Sequence, residues 1–173
     1  HVKLQAIAEG EGQAVTINAQ LQGGYSFQRH LRRDGTMSAI LYGVYDVAIL
    51  QDLSRHFALY AQAPKRCALI SKDAQELTDR IHIYSPDAKI WLEQTWAFED
   101  GNFGGFGSYE AFDDLLRKGT AMVARNIGAE VDPIGEAFRV CRETHPEIEL
   151  YTPDRKHPSA YGAYLKACVT YIA

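Results

Sequence analysis

Asp154 and His157 are the residues of this chain best spaced to do chemistry together. They lie in Tyr-Thr-Pro-Asp-Arg-Lys-His-Pro-Ser, 151–159, between Pro153 and Pro158. A carboxylate three residues before a histidine, in a loop stiffened by prolines, can reach back to the imidazole. It would fix the tautomer and stabilise the imidazolium once the ring takes a proton. That is a base and its orienting acid, two parts of a three-part nucleophilic device. The competing reading is a surface turn with ordinary polar residues. The elements that must position the pair decide between them.

Strand and helix signals alternate along the chain. Val2 to Ala8 has helical character and stops at Gly10 and Gly12. Ala14 to Ala19 is β-branched and strand-like, and runs into the glycine turn Gly23-Gly24. Phe27 to Arg33 reads as a short helix ending near Asp34-Gly35. Tyr45 to Leu50 is a nearly continuous apolar run, the pattern of a parallel strand buried on both faces. Gln51 to Ser54 ends it, and Arg66 to Tyr84 has helical spacing. Lys89 to Thr95 is the next strand and leads into Trp96. Tyr109 to Ile127 is a long helix with Gly128 as its natural cap. Glu130 to Ile134 reads as a short strand, Glu136 to Glu143 as a helix, and Ile148 to Tyr151 as extended chain. Ala160 to Ile172 closes as a helix, with Ser159 a candidate N-cap. This alternation predicts one α/β domain over 1–173, with a mostly parallel sheet and helices on both faces. Ligands in such sheets bind beyond the carboxyl ends of the strands. Gly24, Gln51 to Ser54 and Thr95-Trp96 fall at those ends.

Composition narrows the partners. The 173 residues suffice for one domain, and a net charge of −4 leaves no footprint for nucleic acid or an anionic membrane. Arg29, His30, Arg32 and Arg33 form one basic cluster, read as a solvated helix face. No apolar run approaches the ~20 residues of a membrane span. Cys67, Cys141 and Cys168 are far apart, which suits free thiols and favours a reducing, cytoplasmic compartment, with export by a removed upstream signal peptide as the alternative. No metal-ligand spacing and no cofactor motif is present. In 99–108, Phe103 and Phe106 sit among four glycines, either a flexible insertion or a lid. Trp96 could wall a pocket or be core, and Ser54 lies at the same sheet edge without a nucleophile's glycine setting. Ser26 reads as a turn hydroxyl, His30 and His56 as surface or cap histidines, and Glu93 as a paired strand carboxylate.

Asp154 to Ser159, followed by Gly162, Tyr164-Leu165 and Ala167, resembles the last conserved block of the SGNH (GDSL-like) hydrolases. The resemblance covers nearly the whole chain in order and is closest to outlying bacterial branches with a Leu-Gln-x-x-Ser and a Thr-Trp-Ala step. It implies a flavodoxin-like three-layer α/β/α sandwich and a serine esterase acting on a small ester, with carbohydrate acetyl groups one substrate class. It also implies that Asp154 and His157 are triad members, and that Gly24 supplies an oxyanion-hole N–H. Gln51 would serve where the family carries the Asn of Gly-x-Asn-Asp. The family's nucleophile follows the first strand in a Gly-Asp-Ser or Gly-Asn-Ser turn. None of Ser26, Ser38, Ser54, Ser71, Ser85, Ser108 or Ser159 has that setting. In a sheet of order 2-1-3-4-5 the first strand is central, and its loss would open two rows of backbone groups. The expectation is therefore that this strand and its serine lie upstream of His1, as a segment completing the same fold. Otherwise Ala14–Ala19 pairs directly with Tyr45–Leu50. The protein would then be an inactive SGNH-like module binding a small or glycan ligand.

Overall fold

The strongest apolar run forms strand β1, Val47–Leu50, beside β2, Lys89–Glu93, in a computed structural model that describes residues 1–101 and 105–173. The two strands are parallel, in a register that sets Val47 against Lys89 and Leu50 against Leu92. A third strand, β3 (Glu130–Asp132), gives the order β1-β2-β3 among the described residues. The expected α/β architecture with a parallel sheet is present.

Eight helices are described: α1 (Val2–Gly10), α2 (Phe27–His30), α3 (Asp34–Tyr42), α4 (Ser54–Gln62), α5 (Ala68–Tyr84), α6 (Tyr109–Ile127), α7 (Ile134–Thr144) and α8 (Ala160–Ile172). The chain divides into two compact units. One comprises 1–19, 94–114 and 132–173, the other 20–93 and 115–131.

In the first unit α1 and α7 both pack on α8. Ile134, Phe138, Leu150 and Tyr151 form its core cluster, flanked by Trp96, Cys141, Leu165 and Val169. The Thr170 hydroxyl donates to buried Asp132 at 2.7 Å and ties α8 to the end of β3. Gly162 lets α8 approach the chain before the Asp154 loop. A Cβ there would sit 2.3 Å from the Leu150 carbonyl oxygen.

In the second unit α2, α3 and α4 each pack on α5. Phe27, Phe57, Leu77, Ile81, Ile90 and Leu92 are buried there. Strand β1 has only β2 as neighbour among the described residues. Its Val47 and Ile49 side chains are exposed, at 37% and 41%.

Several boundaries differ from the sequence expectation. Ala14–Ala19 is not a strand: it is mostly exposed and has no ladder, and β-branched residues make a strand only when a neighbour takes their N–H and C=O groups. It does not pair with Val47–Leu50. Asp34-Gly35 opens helix α3 rather than ending one, because an acidic residue in the first turn suits the helix dipole. Helix α4 was hidden behind the polar step at Gln51–Ser54, yet it buries Phe57, Ala58, Tyr60 and Ala61. Strand β2 stops at Glu93, and Ile134 starts helix α7 with Pro133 before it. Leu150–Tyr151 contributes only an isolated antiparallel bridge, Tyr151 to Pro158.

Candidate active site

Each unit carries part of the predicted site. The first holds Asp154, His157 and Trp96; the second holds Gly24, Gln51 and Ser54.

The Asp154 loop is closed by its own backbone. Thr152 N–H donates to the His157 carbonyl at 2.9 Å, and Ser159 N–H to the Leu150 carbonyl at 2.9 Å. Arg155 N–H donates to the Thr152 carbonyl at 2.8 Å, and Arg155 adopts φ 59°, a left-handed turn conformation uncommon outside glycine. Trp96 pins the loop from outside, its indole Nε1–H donating to the Lys156 carbonyl at 2.8 Å. Its ring stacks on Phe138 at 4.7 Å between centroids, so the side chain joins core and loop. Ser159 caps α8, accepting the N–H groups of Tyr161 and Gly162 and donating to the Glu149 carbonyl at 2.6 Å.

Within that loop the expected pair is formed. His157 Nδ1 lies 2.5 Å from Asp154 Oδ2. Asp154 Oδ1 accepts the Thr152 hydroxyl at 2.8 Å, Lys156 N–H at 2.9 Å and His157 N–H at 3.0 Å. The His157 contact first, then these donors, hold the Asp154 carboxyl well below the usual carboxylate range. A neutral ring that gives its Nδ1–H to Asp154 keeps Nε2 as a free proton acceptor. The His157 side chain is 77% exposed, so a base at this position is open to a reactant. Thr152 escaped the sequence reading; a hydroxyl two residues before an acid in a proline-bounded loop was its signal.

In the second unit Gly24 is exposed with φ 72°, which favours glycine. Its carbonyl accepts Arg29 Nη1 at 2.8 Å. Gln51 is exposed at the end of β1, and Ser54 is half-buried at the first position of α4. Asp52, between them, also escaped the sequence reading. It is buried, and its Oδ1 lies 2.8 Å from His56 Nδ1. An acid two residues after an apolar strand and four before a histidine was the signal available. His56 thus lies within ion-pair distance of a buried acid, although its Nδ1 is not aligned for a hydrogen bond to it.

The two phenylalanines of 99–108 divide. Phe106 stacks on Phe112 of α6, 4.7 Å between centroids, while Phe103 lies outside the described residues. Glu93 is buried at the end of β2.

No family model matches the chain, and no curated protein matches it. Solved structures do. A candidate SGNH hydrolase from Slackia heliotrinireducens is similar at TM-score 0.76 and 21% identity, over 98% of this chain and 89% of that one. A DUF4886 family protein from Bacteroides uniformis is similar at TM-score 0.81 and 19% identity, over 97% of this chain and 74% of that one. A candidate GDSL-like lipase from Parabacteroides merdae is similar at TM-score 0.67 and 15% identity, over 96% of this chain and 77% of that one. At these identities the likeness is one of fold. It is the fold that the Asp154–Ser159 resemblance implied.

Proposed function

We propose that this protein is an acyl hydrolase of the SGNH type, cleaving a small ester through a serine nucleophile with His157 as base and Asp154 as its orienting acid. The observation that carries the reading is the 2.5 Å His157–Asp154 contact in a loop closed by backbone bonds, with the imidazole exposed. The fold shared with a candidate SGNH hydrolase and a candidate GDSL-like lipase supports it.

The serine hydroxyl attacks the ester carbonyl while His157 Nε2 takes its proton. The imidazolium is stabilised by Asp154 and then protonates the leaving alcohol. Water repeats the sequence on the acyl-enzyme. The oxyanion donors that the resemblance implies are the Gly24 N–H and the Gln51 amide, with the serine's own N–H; one such donor is typically worth about 10²–10³ in turnover.

A second reading, a non-catalytic module binding a small or glycan ligand, is favoured by the lack of a Gly-Asp-Ser setting for any serine of residues 1–173. Hydrolysis of p-nitrophenyl acetate by the full-length protein separates the two. The hydrolase reading predicts turnover that falls about 10⁴-fold or more in His157→Ala. Turnover that survives that substitution removes His157 from the mechanism, and no turnover on any short-chain ester favours the binding module.

A further inference from the structure

The mechanism above leaves the buried carboxylate of Asp52 unused. Asp52 is 3% exposed. Its Oδ2 accepts the Phe27 N–H at 3.1 Å, and its Oδ1 accepts the Leu53 N–H at 2.5 Å. His56 Nδ1 lies 2.8 Å from the same Oδ1. Phe27 is the first residue of α2, three positions after Gly24; Leu53 is two positions after Gln51; His56 is in the first turn of α4. A single side chain therefore joins the Gly24 turn, the Gln51 turn and the start of α4, all within the second unit.

We propose that Asp52 and His56 form a positioning pair, which holds the Gly24 and Gln51 turns in the register that an oxyanion requires. The hydrolase reading supplies what that register is for; the clamp itself rests on the contacts.

The physical case is one of backbone accounting. The first N–H groups of a helix have no partner within it, and α2 is only four residues long. Ser26 takes the Arg29 N–H at 3.4 Å and leaves the Phe27 N–H to Asp52. Removing the carboxylate orphans a buried donor, and α2 has few bonds of its own to compensate. The glycine turn immediately before it would lose its anchor.

His56 adds a pH dependence. Its partner Asp52 raises the imidazole's basicity, against desolvation and the neighbouring Arg55 charge. His30 of α2 and Asp73 of α5 also feel the Asp52 charge. A raised histidine favours the protonated form in the folded state. Its contribution is thus complete below the ordinary histidine value of about 6.5 and lost as pH rises through the raised one.

The test uses the full-length protein with Asp52→Asn and His56→Gln, reading amide hydrogen exchange at Phe27 and Leu53 together with ester turnover. The clamp predicts at least about tenfold faster Phe27 exchange in Asp52→Asn, and a kcat lowered about tenfold or more with KM within twofold. Wild-type Phe27 protection should fall as pH rises above about 6.5, and this dependence should vanish in His56→Gln. Unchanged Phe27 protection in folded Asp52→Asn overturns the proposal. Should that variant not fold, wild-type protection that is flat between pH 6 and 8 overturns it instead. Faster Phe27 exchange in a protein that hydrolyses no ester upholds the clamp and removes the hydrolase reading alone.

Discussion

Asp154 accepts three hydrogen bonds at one oxygen and faces His157 with the other, so its ionised form is held by geometry rather than by burial. The Asp154–His157 pairing contributes above the ordinary carboxylate value of about 4 and is lost only as pH falls through the lowered one. A carbon-detected titration of the Asp154 carboxyl should therefore show it ionised well below pH 4. Titration at the ordinary value would contradict the contact. Asp154→Asn should keep the loop but favour the wrong histidine tautomer, lowering kcat about 10⁴-fold with folding intact. Asp52 poses the opposite case. It is buried, yet it too is surrounded by donors, and both acids follow the rule that a buried or ordered carboxylate must find partners.

The elements explain how an exposed pair stays ordered. Trp96 reaches from the end of β2 to the Lys156 carbonyl, and Ser159 starts α8 directly behind the loop. Trp96→Phe keeps the stacking on Phe138 and removes the indole donor. It should cost about 1 kcal/mol and speed amide exchange at Lys156 and His157. Gly162→Ala should cost about 1–3 kcal/mol in urea unfolding, because its Cβ would meet the Leu150 carbonyl oxygen at 2.3 Å. A stability change under 0.5 kcal/mol in that variant would mean that α8 does not seat as described. Much of this scaffold was legible in the sequence. Helix α8 and its Ser159 cap follow from a hydroxyl placed before an apolar helical run, and β1 from an unbroken apolar stretch. Ala14–Ala19 misled because strand propensity is local, whereas a strand exists only through its neighbour. The Asp52 contacts were not legible because Phe27 and Asp52 are 25 residues apart, and no local pattern announces such a meeting.

For the molecule as a whole, the outer side of β1 is the open part of the sheet among the described residues. β1 leaves Val47 and Ile49 exposed and has one neighbour among the described residues. Such an edge is a template for pairing, and proteins commonly blunt one with charge. The protein should self-associate along β1, and Ile49→Lys should reduce that association in light scattering. Association unchanged by Ile49→Lys would mean that β1 is not the surface used.

The central claim is that His157, oriented by Asp154, activates a serine. Labelling by a fluorophosphonate probe tests it most directly, since the reaction needs an activated hydroxyl and no knowledge of the substrate. Full-length wild-type protein should be labelled on one serine, and His157→Ala, folded by circular dichroism, should not be. Equal labelling of both proteins, or none of the wild type, would contradict the account.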